Sequence, residues 1–264
     1  MVNSGASNLD SDLRERISHA VSQALQPFPD VLAGWEGGSV AFDVSDEYSD
    51  IDLMFLATDT AAVESLYAAA EASIRAISEI ACTHSEPPGR YYKLQDGGEL
   101  LLLDLCFVRM GAIDHCLDIE RHGKVKPLFD KGSWIEGKHL DCEAMDTARS
   151  KRLKELLSWF RVSQSFVHKA ILRGQHAEAL CAYWGYTLRP LTEILRMRYC
   201  PARWDFGMRY LARDLPADAY GELQDLMFVS DPEALGAYLE KASLWGEAML
   251  SELESGREPS ARVT

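Results

Sequence analysis

No Cys-x-x-Cys pair occurs in this 264-residue chain, and its seven histidines fall at no metal-ligand spacing. The six cysteines stand apart at positions 82, 106, 116, 142, 181 and 200, which gives neither a zinc site nor a disulfide framework. Several lie in apolar segments, where a free cysteine behaves as a small hydrophobe. No apolar run approaches the roughly 20 residues needed to cross a bilayer. The stretch from Met1 to Asp12 is polar and has no apolar region of the kind found in secretory signals. These absences predict a soluble, cytoplasmic chain with no membrane partner. Basic residues are also short: 27 Lys and Arg face 41 Asp and Glu, for a net charge of −14. Nucleic-acid binding draws on Lys and Arg against phosphates, so this balance argues against DNA or RNA as the main partner. It suits solubility, and it suits attraction of a cationic small molecule. No internal repeat or low-complexity linker is present.

What is there begins at Gly37-Gly38-Ser39. After nine further residues comes Ser49-Asp50-Ile51-Asp52-Leu53, which continues as apolar Met54-Phe55-Leu56. In a strand, side chains at i and i+2 share a face, so the spacing predicts that Asp50 and Asp52 project together while Ile51 and Leu53 point the other way. Two adjacent carboxylates repel, and burying them unpaired is costly. A divalent cation resolves this, and carboxylate oxygens suit magnesium, whose remaining ligands commonly come from substrate phosphates. A third acid, Asp104, stands alone in the apolar run Leu100 to Val108. An ionised Asp in such a run needs a partner. Arg90 to Gln95, with Asp96-Gly97-Gly98 as the turn, predicts a hairpin with that run. Backbone N–H groups at the Gly37-Gly38-Ser39 turn make a natural anion site, and Ser39 can add its hydroxyl or cap the short helix that follows.

Turn, gap, acid pair and third acid together resemble the signature of the nucleotidyltransferase superfamily that includes DNA polymerase beta. The match is best with its aminoglycoside and streptomycin adenylyltransferase branch. The resemblance implies that Gly37, Gly38 and Ser39 hold the nucleotide phosphates, that Asp50 and Asp52 hold one or two magnesium ions, and that Asp104 completes the site. Val125 to Lys131 resembles the short strand and turn that follow the catalytic sheet in these enzymes. One departure is visible: many members have glycine where this chain has Asp43.

The pattern predicts an α+β chain. A mixed-sheet nucleotidyltransferase domain over residues 1–141 precedes a helical bundle over 142–251 and a polar, frayed tail over 252–264. Within the first domain, Leu13, Ile17, Val21 and Leu25 predict a helix over 9–26, Val31 to Trp35 a strand, and the alanine-rich 60–80 a second helix. In the second, helices are predicted over 143–172, ending at Gly174, and from His176 toward Tyr199 with a kink at Pro190. Shorter helices follow near 204–214, 217–228 and 231–251.

The helical half carries Arg189, Arg196, Arg198, Arg203, Arg209 and Arg213 with few acids nearby in sequence. In the resembled enzymes, basic residues of this domain reach the triphosphate; Lys169, mid-helix beside Phe166 and Val167, is the leading candidate here. Trp159, Tyr183, Trp184, Tyr186 and Trp204 suit stacking on a ring or packing in a core. Glu193, Glu222 and Asp225 are the acids available for a cationic acceptor. The expected activity is magnesium-dependent transfer of a nucleotide monophosphate, AMP from ATP first, onto a hydroxyl of an aminoglycoside-like acceptor, with Asp104 helping to deprotonate it. The alternatives are a protein-modifying nucleotidyltransferase of the toxin–antitoxin type and a non-catalytic nucleotide-binding protein on the same fold.

Overall fold

The computed structural model describes residues 6–256. The chain divides into two compact units, Met1–Leu140 and Asp141–Thr264. The architecture is α+β: a six-stranded mixed sheet in the first unit, then helices.

The first unit opens with α1 (Ala6–Leu25), β1 (Val31–Glu36), the one-turn α2 (Gly38–Ala41), β2 (Ile51–Ala57) and α3 (Val63–Arg75). β3 (Ile80–Glu86), β4 (Gly89–Leu94), β5 (Leu102–Arg109), the short α4 (Ile119–His122) and β6 (Lys126–Asp130) complete it. The sheet order is β3-β4-β5-β2-β1-β6. β2 and β5 run parallel and the other pairs antiparallel. The four-residue spacing of Leu13, Ile17, Val21 and Leu25 puts all four on one stripe of α1, and each is buried. With Leu66, Ala70 and Ile74 of α3 they cover one face of the sheet, packing on Ile51, Leu53, Phe55, Leu103, Leu105 and Phe107. The opposite face carries a smaller cluster of Ala33, Trp35, Leu56, Val108, Leu117 and Ile135. The acids belong to that second face.

Two expectations in this unit need correction. The second helix ends at Arg75, not near residue 80, and Ile80–Glu86 is a strand instead. β3 is an edge strand, exposed along nearly its whole length, so it carries no buried alternation to announce it. Asp50 lies just before β2 rather than within it.

The second unit holds α5 (Cys142–Leu172), α6 (His176–Tyr183), α7 (Arg189–Tyr199), α8 (Leu211–Asp214), α9 (Ala217–Met227) and α10 (Leu235–Glu254). Asp141 caps α5 by accepting from the Ala144 amide at 3.0 Å. Gly174, at φ +67°, ends it in the left-handed conformation, with the Gln175 amide returning to the Ala170 carbonyl at 3.0 Å. The helix expected from His176 to Tyr199 is continuous, with one π turn, Trp184–Leu188, within it. Proline has no N–H to give the carbonyl four residues back. For Pro190 that carbonyl is Tyr186 O, which accepts instead from Ser163 Oγ at 3.3 Å and Gln164 Nε2 at 3.1 Å. The last helix continues to Glu254, past the start of the expected tail, and residues 257–264 lie outside the described residues.

Among the described residues no helix is long and apolar enough to cross a membrane. Among the described residues no cysteine forms a disulfide; Cys106, Cys116 and Cys200 are half-buried, while Cys82, Cys142 and Cys181 are exposed.

Candidate active site

The parallel register of β2 and β5 sets Asp52 directly beside Asp104. Neighbouring strands lie about 4.8 Å apart, so two acids share one patch of sheet. Asp50, at the entrance to β2, turns toward the same strand: its Oδ1 accepts from the Leu102 amide at 3.3 Å. The electrostatics record this crowding. Burial first, then the charges of Asp104 and Asp50, pushes the Asp52 carboxyl up from 3.8 to about 6. Burial and Asp50 raise Asp104 as well. Among the described residues no group of three or more His, Cys, Asp or Glu has the geometry of a formed metal site. The donor chemistry nevertheless suits a hard cation: only oxygen ligands, and carboxylates that repel one another without a positive charge between them.

The glycine turn is built against Asp52. The Gly37 amide donates to Asp52 O at 3.0 Å. Gly38 has φ +57°, and a Cβ there would collide with Asp52 Oδ2. A Cβ at Gly37 would collide only with the far end of the flexible Met54 side chain and would lie in ordinary contact with Asp52 Cβ. Ser39 Oγ is buried and has no hydrogen-bond partner among the described residues. A buried hydroxyl in that state calls for a partner from outside the chain, a water or a ligand oxygen. Gly38→Ala should therefore lower stability by about 1–2 kcal/mol, the size of a left-handed penalty, and displace Asp52. Gly37→Ala should do much less. Urea unfolding and pyrophosphate release of the two variants give the comparison; equal effects would remove the close-approach argument.

The loop from turn to acids is held by polar contacts. Asp43, standing where glycine is common in the resembled enzymes, has φ +57° and pairs with Lys126 at 2.9 Å. Aspartate tolerates the left-handed region better than most side chains, so the turn survives without glycine. Asp46 Oδ1 accepts from the Tyr48 amide at 3.0 Å and from Ser49 Oγ at 2.8 Å. Arg14 Nη1 and Nη2 donate to the carbonyls of Asp46 and Glu47 at 2.8 and 3.1 Å. Arg14, Ser18, Glu36, Val40, Asp50 and Asp52 are among the residues lining a cleft of about 410 Å³ beside the turn. Arg14 Nε is buried and has no hydrogen-bond partner among the described residues. The sequence gives no motif for Arg14, which lies on a helix 23 residues before Gly37. Its only signal is a basic residue beside the buried stripe of α1.

The helical unit supplies other outcomes. Lys169 is exposed on α5, and Phe166 beside it is exposed too. Arg196, Arg203 and Arg213 all bind Asp214, and Arg198 pairs with Glu252, so four of the six arginines are engaged within their own unit. Glu193 is clamped by Arg152 at 2.7 and 3.0 Å, and Glu222 lies 3.6 Å from Lys241, so neither is an uncommitted charge for a cationic acceptor. Tyr183 is core, donating to Leu226 O at 3.1 Å, whereas Trp159, Phe166 and Tyr186 form a partly exposed ring cluster.

No family model and no curated protein matches the chain. Among solved structures it is similar to an aminoglycoside 6-adenyltransferase from Bacillus subtilis, at 14% identity over 94% of this chain and 93% of that one, with a TM-score of 0.40. It is similar to a spectinomycin adenyltransferase from Enterococcus faecialis solved with ATP and spectinomycin, at 10% identity over 92% and 99%, with a TM-score of 0.39. A STING-associated c-di-GMP synthase from Capnocytophaga granulosa matches at 14% identity over 97% and 84%, with a TM-score of 0.34. The functional reading stands on the acids and the turn themselves.

Proposed function

We propose that this chain is a nucleotidyltransferase that moves a nucleotide monophosphate, AMP from ATP in the first instance, onto a hydroxyl of a small, cationic acceptor in the cytoplasm. The observation that carries it is the placing of Asp52 beside Asp104 with Gly38 wedged against the Asp52 carboxylate. Asp50, Asp52 and Asp104 would hold magnesium, which when bound supplies charge stabilisation to the phosphoryl oxygens. The Gly37-Gly38-Ser39 turn would hold the β- and γ-phosphates through the Gly38 and Ser39 amides and the Ser39 hydroxyl, the Gly37 amide being committed to Asp52 O. The acceptor oxygen attacks the α-phosphorus, the bond from that phosphorus to the bridging oxygen breaks, and pyrophosphate leaves. Asp104, on the strand beside Asp52, would help to deprotonate the acceptor hydroxyl. The net charge of −14 supports a cationic acceptor through long-range attraction.

Two measurements test this. ATP and magnesium together should raise the melting temperature, and either alone should do less; ligand at 100 times its Kd stabilises the fold by about 2.7 kcal/mol. Pyrophosphate release from ATP should require an added hydroxyl acceptor. An unmoved melting curve at millimolar ATP and magnesium would sink the assignment.

A further inference from the structure

The sheet register extends the line of acids in one direction. Asp52 on β2 pairs with Asp104 on β5, Asp104 with Tyr91 on β4, and Tyr91 with His84 on β3. Directly paired residues point to the same face of a sheet, so these four side chains form one row across four strands. At about 4.8 Å per strand the row is about 14 Å long. The rings of His84 and Tyr91 stack, with centroids 6.5 Å apart and planes 22° from parallel. His84 is exposed and Tyr91 is 37% exposed, while its neighbour Tyr92 is buried on the opposite face. Glu86, two residues after His84 on the same strand, shares that face and is exposed. An exposed aromatic pair continuing a row of acids belongs neither to the larger core on the other side of the sheet nor to the smaller cluster on this face.

The opposite end of the row is the glycine turn. It follows β1, which flanks β2 on the side away from β5, and it touches Asp52. In a phosphoryl displacement the attacking and leaving oxygens lie roughly in line on opposite sides of phosphorus. If the turn holds the leaving pyrophosphate, as the proposed function requires, the attacking hydroxyl arrives over β5 and β4. We propose that Tyr91 and His84 are the acceptor platform, stacking against the ring of the acceptor beside the Glu86 carboxylate. The chemistry fits an amino-substituted ring: C–H edges rest on the aromatic faces, and an ammonium group is drawn by ring quadrupole and carboxylate. Gly89, the first residue of β4, keeps the platform low, since a Cβ there would come within 3.1 Å of Asp104 Oδ1.

The test uses the full chain and the variants Tyr91→Ala, His84→Ala and Tyr91→Phe. Initial rates of pyrophosphate release are measured with ATP, magnesium and a panel of amino-sugar acceptors including spectinomycin. Each alanine variant should raise KM for the acceptor roughly tenfold, as loss of one ring contact implies, with KM for ATP and the thermal shift by ATP and magnesium unchanged. Tyr91→Phe keeps the ring and should stay close to wild type. A rise in KM for ATP as large as that for the acceptor would place the rings on the donor and overturn the platform. So would an acceptor KM unchanged in both alanine variants when the wild type transfers. A wild type that shows neither the thermal shift nor acceptor-dependent release would bring down the nucleotidyltransferase reading, and the platform with it.

Discussion

Asp52→Asn should leave a protein that is more stable without ligand and nearly inactive with it. The carboxyl of Asp52 rises from 3.8 to about 6 on folding, through burial and then through Asp104 and Asp50. A raised carboxyl means the folded state holds its proton more tightly than the unfolded chain does. The contribution to stability is therefore fully present below about pH 4 and is lost as pH rises through about 6. Above that, the folded protein carries a penalty of about 3 kcal/mol at most, taking 1.36 kcal/mol for each unit. Asparagine has the shape without the charge, so it escapes the penalty. Melting curves of wild type and variant in the absence of magnesium should be well separated at pH 7.5 and converge near pH 4. Nucleotidyl transfer should fall by roughly 10²–10³-fold, the size of effect seen when one preorganised electrostatic contact is removed. Asp50→Asn should cost activity similarly. A variant that melts with wild type at every pH would show that the carboxylates do not strain the fold. Full activity in either variant would remove the acids from the mechanism.

That the strain is readable at all comes from how much of this site is local in sequence. Asp52 and Leu53 alternate faces as strand residues must, and Leu53 is wholly buried. Asp104 was visible because it interrupts an apolar run. The pairing of the two acids was not visible, since a parallel register between strands 52 residues apart is fixed by the whole sheet. Gly38 shows the same division: its presence in a turn is local, but the collision that forbids a Cβ depends on where Asp52 arrives. β3 escaped notice because an exposed edge strand has no buried side to write an alternation into the sequence. His84 and Tyr91 carry no motif either; only the register puts them in line with the acids. Pro190 marks an irregularity in its helix but not its form, the π turn, at which Ser163 and Gln164 reach Tyr186 O from α5.

The arginines of the helical half read differently once their partner is known. Asp214 and Arg196 are completely buried side chains, joined at 2.9 Å. Arg203 adds contacts at 2.6 and 3.1 Å and Arg213 one at 3.1 Å, so a single carboxylate faces three guanidinium groups. Arg196 also donates to the carbonyls of Arg203, Gly207 and Arg209. These bonds pin the irregular segment between α7 and α8, where little helix or strand satisfies the backbone. Burial pushes the Asp214 carboxyl up, but hydrogen bonds from Arg203, Arg196 and Arg213 outweigh it and hold it below its ordinary value. A depressed carboxyl gives stability that is present above the unfolded pKa near 3.8 and lost as pH falls through the lower folded value. The cluster should thus hold at pH 5 and fail only in strong acid. Asp214→Ala leaves Arg196 charged, buried and without its counter-charge, which costs about 3–5 kcal/mol. Arg196→Lys should be damaging too, because an ammonium cannot reproduce the planar fork that reaches three carbonyls and a carboxylate. Replacing both partners with apolar residues, as in Arg196→Met with Asp214→Leu, should recover much of the Asp214→Ala loss at that pair. The segment would still lack its carbonyl partners, so recovery should be incomplete. Urea unfolding of the three proteins followed by circular dichroism measures this. A loss under about 1 kcal/mol in Asp214→Ala, the range of an exposed ion pair, would mean the cluster is solvated and does not hold the segment in place.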